Sequence, residues 1–169
     1  SSRLIRKLGD SDVQLQHNKI TNLKLAVPCI DGVLIQPGQT FSFCHLVGMP
    51  TRARGFVEGL ELSFGEARRG VGGGICQIAN MIHWLALHSP LQVTARSNHS
   101  FDPFPDEGRV LPFGTGAAIF YNFVDLMLYN PTSETLQLRL WLTESDLVGE
   151  LRSNVAPRLK YHVYQRAHR

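Results

Sequence analysis

The run Gly72-Gly73-Gly74-Ile75-Cys76-Gln77, followed at once by an apolar helical pattern, constrains this chain more than any other stretch. Glycines permit backbone turns and close approaches that a side chain would block. The apolar residues Ile78, Met81, Ile82, Leu85 and Ala86 then recur at helical spacing, and Ser89-Pro90 ends the pattern. A cysteine is thereby set at the entry of a helix, on a turn stripped of side chains. Unpaired N–H groups and the helix dipole at that end favour an anion, which lowers a thiol's pKa and yields a nucleophile. Gly72, Gly73 and Gly74 form the loop. The N–H groups from Gly74 to Gln77, with the Gln77 side-chain amide, are candidates for holding an oxyanion. The plain alternative makes Cys76 a small packing residue and Gln77 a cap at a helix entry.

His99 follows the helix and a strand-like run, 91–95, in the order a cysteine–histidine pair needs. Imidazole takes the thiol proton and returns it to a leaving amine. Papain-like and transglutaminase-like hydrolases share this arrangement of cysteine helix and histidine strand, a likeness of pattern alone. An orienting carboxylate should accept the other imidazole N–H. Asp102, in a Pro-rich loop, and Asp125, on a later strand, both qualify, with Asp125 preferred. Arg96 and Ser100 flank the histidine as substrate-binding candidates. A guanidinium there can hold a carboxylate bidentately or merely pair with a surface acid. His83 and His88 lie on the helix away from its first turn and read as structural. Ser42, between Phe41 and Phe43, reads as fold-determining.

Composition narrows the alternatives. The 169 residues are 43% hydrophobic and 18% charged, which suits one globular domain with a proper core. The net charge of +3 comes mostly from the ends, so no nucleic-acid partner is expected. Three cysteines are too few for a disulfide framework, and the apolar settings of Cys29 and Cys44 suit small buried hydrophobes. Cys76, His99 and Asp125 lack the CxxC, HxxxH or HExxH spacing of a zinc site. The glycine run lacks the lysine of a phosphate loop and the spacing of a dinucleotide loop. No metal or cofactor is expected. No apolar run approaches the ~20 residues of a membrane span, and the N-terminal residues lack the apolar core of a signal peptide.

The patterning predicts an α+β fold, with residues 1–17 a polar lead-in and 18–169 a single domain. An amphipathic helix runs from Asn18, its N-cap, through Ile20, Leu23 and Ala26 to Pro28. Turns at Asp31-Gly32 and Pro37-Gly38 flank a short strand, 33–35, and 40–43 alternates as another. A hairpin is expected from 55–58 and 61–64, with 65–70 a polar loop. Strands follow at 117–123, 125–129, 135–142 and 161–164. The cysteine-headed helix should pack on a mostly antiparallel sheet, with a second helix from the N-terminal third.

Four segments recur in an order known elsewhere: Pro37-Gly38-Gln39-Thr40-Phe41-Ser42-Phe43, Gly72-Gly73-Gly74-Ile75-Cys76-Gln77, Arg96-Ser97-Asn98-His99-Ser100, and Asp125-Leu126 followed by Asn130. Together they resemble the VanW family, whose name comes from vancomycin B-type resistance, over 18–142. The single-domain layout resembles the stand-alone members. The resemblance implies a link to the bacterial envelope and a peptidoglycan peptide or precursor as partner. It also implies L,D-transpeptidase-like chemistry with Cys76 as nucleophile. Many members carry Asp-Ala-Thr-Val where this chain has Gly116-Ala117-Ala118-Ile119, so that carboxylate is absent here. Two rival readings follow from the same residues. One is a non-catalytic module binding peptidoglycan or an antibiotic target; the other is an intracellular cysteine hydrolase. An exported chain would work in the cell envelope, and one complete at Ser1 in the cytoplasm.

Overall fold

Apolar residues switch repeatedly between helical and alternating spacing, and the elements follow that switching. A computed structural model describes residues 1–5, 13–63, 66–98, 115–157 and 159–164. Ser2–Arg3 forms β1, followed by α1 at Val13–Ala26, which buries Leu15, Leu23 and Ala26 on one face. Pro28 tightens the exit into a 3-10 turn at Val27–Cys29. Next come β2 (Leu34–Ile35), β3 (Thr40–Ser42) and the short α2 (Phe43–Val47). The hairpin β4 (Glu58–Ser63) and β5 (Glu66–Val71) leads to α3 at Cys76–Leu87. The chain continues with β6 (Gln92–Ala95), β7 (Met127–Tyr129), β8 (Leu136–Leu142) and β9 (Asp146–Ser153).

The fold is α+β, and all the strand pairings are antiparallel. They form three sheets, in the orders β1-β9-β8-β2, β3-β7-β6 and β4-β5. Strand β8 buries Leu136, Leu138 and Leu140 on one face, as its alternation requires. Helix α3 packs on β9 at Gly149, where a Cβ would lie 3.1 Å from Leu85 Cδ1. Ile78, Ile82, Leu126, Leu128 and Leu138 are fully buried in the shared core. Truncating one of these to Ala would cost about 2–5 kcal/mol.

Several expectations are corrected. Helix α1 begins at Val13, so Asn18 lies inside it rather than at its cap. The N-terminus is drawn into the fold by the pairing of Ser2 with Leu147 and of Arg3 with Asp146. The hairpin lies further along than expected: residues 66–70, assigned to a polar loop, belong to β5. Glu61 pairs in register with Arg68 and Leu60 with Arg69. Charged residues hide a strand whose outer face is solvated. Residues 117–123 carry only the isolated bridges Ser97–Ala118 and Phe120–Val124, and no strand forms at 161–164. The final strand is β9, which Gly149 had disguised. Among the described residues no helix is long and apolar enough to cross a membrane.

Candidate functional site

The glycine run is the keystone between α1, the β4–β5 hairpin and α3. Gly72 (φ 85°) and Gly74 (φ 94°) are left-handed, where a side chain is strained. Gly73 lies directly against the backbone of Gly59, and a Cβ on either would collide with the other. Asn22, fully buried on α1, clamps the junction. Its amide donates to the carbonyls of Val57 (3.0 Å) and Gly73 (2.9 Å), and its Oδ1 accepts from Val57 N–H (2.9 Å). Asn18 adds a bond to the Glu58 carbonyl at 2.7 Å.

The turn uses most of its own N–H groups. Gly72 donates to Val57, Gly73 to Gly70, Ile75 to Gly72 and Gln77 to Gly74. Within 72–77 of the described backbone network, Gly74 and Cys76 have no such carbonyl acceptor. The oxyanion donors expected from Gly74 to Gln77 therefore narrow to those two. The Gln77 side chain is committed elsewhere: its amide reaches Ser2 Oγ and the Arg3 carbonyl, both at 2.9 Å, and ties β1 to α3.

Cys76, the first residue of α3, lines a cleft of about 340 Å³. The opposite walls are Cys44 and Phe43 of α2, the Met49-Pro50 segment, and the 119–123 turn, with Glu61 and Val71 of the hairpin completing it. The Cys76 thiol donates to the Ile119 carbonyl at 3.9 Å, and the Cys44 thiol to the Val124 carbonyl at 3.6 Å. Burial pushes the Cys76 thiol up from its ordinary pKa; the Ile119 bond lies on the same thiol, and Glu61 adds to the rise. The expected dipole-favoured thiolate is thus opposed by desolvation. Cys44 is also pushed up, to about 12, by burial first and the charge of Asp125 second.

The turn at the cleft mouth is a tight loop. Phe120 and Val124 exchange backbone bonds of 2.9 and 2.8 Å, and Asn122 takes a left-handed φ of 65°. Phe120 and Phe123 are left exposed at its tip, with ring centres 5.3 Å apart.

The other expected site residues separate clearly. His99, Ser100 and Asp102 lie outside the described residues, which therefore do not show the cysteine-helix and histidine-strand arrangement. Strand β6, which leads toward His99, ends at Ala95. Asp125 holds the fold together. Its Oδ2 accepts from Ser42 Oγ (2.6 Å), and its Oδ1 accepts from the N–H groups of Cys44 (2.9 Å) and Leu126 (2.8 Å). Arg96 donates to the carbonyl of Gly116 at 2.6 Å and has a further interaction. Burial lowers its pKa. His83 donates from Nδ1 to the Thr115 carbonyl at 2.8 Å, and burial depresses its pKa. Asn80 Oδ1 accepts from Ala117 N–H at 2.6 Å, which seats the returning chain on α3.

Sequence reasoning missed three members of the site. Cys44 was read as plain core, and Glu61 as one hairpin residue among several. Asn22 went unremarked, although a polar residue among the buried positions of α1 is a signal in itself.

A family profile described as VanW like protein matches residues 18–152. The chain belongs to the VanW family. It is 34% identical over 152 residues to vancomycin B-type resistance protein VanW of Enterococcus faecalis (strain ATCC 700802 / V583), covering 90% of this chain and 55% of that protein. It is 30% identical over 119 residues to the uncharacterized protein YoaR of Bacillus subtilis (strain 168), covering 70% of this chain and 37% of the relative. The match thus spans about half, or less, of each relative's length. No solved structure matches it.

Proposed function

We propose that this VanW-family chain performs cysteine-dependent acyl transfer on peptidoglycan stem peptides, in cell-wall remodelling or glycopeptide resistance. The observation that carries the reading is the position of Cys76: it heads α3 on a glycine turn and opens into a cleft of about 340 Å³. Burial opposes the Cys76 thiolate, so the nucleophile calls for a base, and that is the role assigned to His99. Imidazole takes the Sγ proton as sulfur attacks a peptide carbonyl. The N–H groups of Gly74 and Cys76 face the developing oxyanion. The imidazolium then protonates the leaving amine, and a thioester remains on Cys76. An amine or water attacks that thioester and frees the enzyme. Asp125 is left out of this cycle, because both its oxygens already hold α2.

Intact-mass analysis with a stem-peptide donor tests the reading. The wild-type chain should gain the acyl mass at Cys76, and Cys76→Ala should not. Muropeptide cross-linking should fall with the variant, and unchanged cross-linking would sink the enzymatic reading.

The raised pKa of Cys76 also favours a second reading, a non-catalytic module that binds peptidoglycan or an antibiotic target. Retained ligand binding and unaltered cross-linking in Cys76→Ala would support it.

A further inference from the structure

Four acids of the described structure are neutralised by arginine: Asp31 by Arg139 at 2.8 Å, Asp146 by Arg3 at 3.7 Å, Glu150 by Arg152 at 2.7 Å, and Glu58 by Arg52. Glu61 is different. Among the described residues it forms no ion pair, yet it lines the same cleft as Cys76. Its carboxylate lies flat over Gly70, where a Cβ would collide with Oε2 and Cδ. The absence of a side chain at Gly70 therefore leaves room for the acid beside the glycine turn. Arg68 stands opposite Glu61 in register, but it does not line the cleft. The neighbouring walls are apolar, with Phe43, Ile75 and Ile119 among them. A carboxylate set against apolar walls, with no ion pair among the described residues, is placed to attract a cation.

We propose that Glu61 binds a primary ammonium group of the incoming acceptor and takes its proton, delivering a neutral amine to the acyl group on Cys76. This rests on the acyl-transfer reading for its second half, whereas the binding half stands on the cleft alone. The ammonium gives one proton to the Glu61 carboxylate and becomes an amine. Its nitrogen attacks the thioester carbonyl, the C–N bond forms, and the C–Sγ bond breaks. The second N–H proton passes to the departing sulfur, which restores the thiol. Glu61 then returns its proton to water. The sum is ammonium plus thioester giving amide, free thiol and one released proton. Glu61 also raises the Cys76 pKa, so an ammonium that pairs with it makes the resting thiol more acidic.

Two measurements test the assignment separately from the reaction. In a Cys76→Ser chain, where no thioester forms, Nα-acetyl-lysinamide and the uncharged acetyl-norleucinamide are titrated by NMR. The lysine ligand should bind roughly tenfold or more tightly than the norleucine ligand, and Glu61→Gln should remove that difference. Equal binding of the two ligands, or preference retained in Glu61→Gln, would overturn the assignment. In the Cys76 chain the acyl-enzyme is offered Nα-acetyl-lysinamide, and amide product is compared with hydrolysed donor. Glu61→Gln should lose transfer roughly tenfold relative to hydrolysis, a partition of the acyl-enzyme that is read independently of how fast it forms. An unchanged ratio also overturns the proposal. A wild-type chain that never acylates refutes the acyl-transfer reading instead, and leaves the NMR titration to decide Glu61.

Discussion

The cleft has a helix start on each side, and the two are built by opposite means. Helix α2 is closed by side chains: Ser42 Oγ accepts from His45 N–H at 3.1 Å, and Asp125 receives Ser42 Oγ–H and Cys44 N–H. Helix α3 has no side-chain cap at all, and Ile75 precedes it in a helical conformation. Its start is fixed from outside, by backbone turns and by glycines pressed against Gly59, Pro50 and Lys19. Capping chemistry secures Cys44 and surrounds it with negative charge. Close packing secures Cys76 and leaves the space before it empty of side chains. One wall is held by hydrogen bonds, the other by the absence of Cβ atoms.

The contrast breaks most severely at Gly73. A methyl group there meets the backbone of Gly59, which cannot move without displacing β4 and the Asn22 clamp. Gly73→Ala should destabilise the chain by about 3 kcal/mol or more, which corresponds to roughly 6–12 °C in melting temperature. Thermal unfolding checks this. A variant melting within about 2 °C of wild type would show that the packing at this turn is not tight.

Breaking the other wall should cost less and alter chemistry more. Asp125→Ala removes three accepted hydrogen bonds at a half-buried site. The expected loss is about 2 kcal/mol, the upper range for a helix cap. The charge of Asp125 is a principal cause, after burial, of the raised Cys44 pKa, so its removal should also make that thiol more acidic. Alkylation with iodoacetamide at pH 8, located by peptide mass, should then reach Cys44 faster than in wild type. An unaltered Cys44 rate would contradict the role of Asp125 charge.

The two walls were also unequally legible in sequence. The start of α3 was plain, because three glycines followed by apolar residues at helical spacing have few other uses. Helix α2 was hidden, because Thr40-Phe41-Ser42-Phe43 alternates like a strand. The residue that converts it to a helix, Asp125, arrives from far along the chain. Asp125 was read as the carboxylate orienting His99, which lies outside the described residues; within them it accepts from Ser42 Oγ and from the N–H groups of Cys44 and Leu126. Gln77 was misjudged for a related reason: its amide is used by Ser2 and Arg3, an N-terminal segment expected to be a mere lead-in. Strand β5 escaped notice because Arg68 and Arg69 look like loop residues. Local patterns reveal where elements start; long-range hydrogen bonds decide which polar side chains remain available.

The smallest effect expected from the contrast is a pH dependence. Cys44 rises from 9.0 to about 12 on folding, because burial and Asp125 both oppose the thiolate. Between those values the unfolded chain has released a proton that the folded chain keeps, so the unfolded state gains on the folded one as pH rises. This contribution to stability is full below about 9 and is lost as pH climbs toward about 12. Cys44 is only half-buried, so solvent should keep the change modest. Denaturation of wild type and Cys44→Ser at pH 8 and pH 10.5 isolates it, since serine does not titrate there. Wild type should lose more stability than the serine variant over that interval. Parallel losses would mean that the α2 wall does not hold the Cys44 proton, and the contrast between the two cysteines would then rest on packing alone.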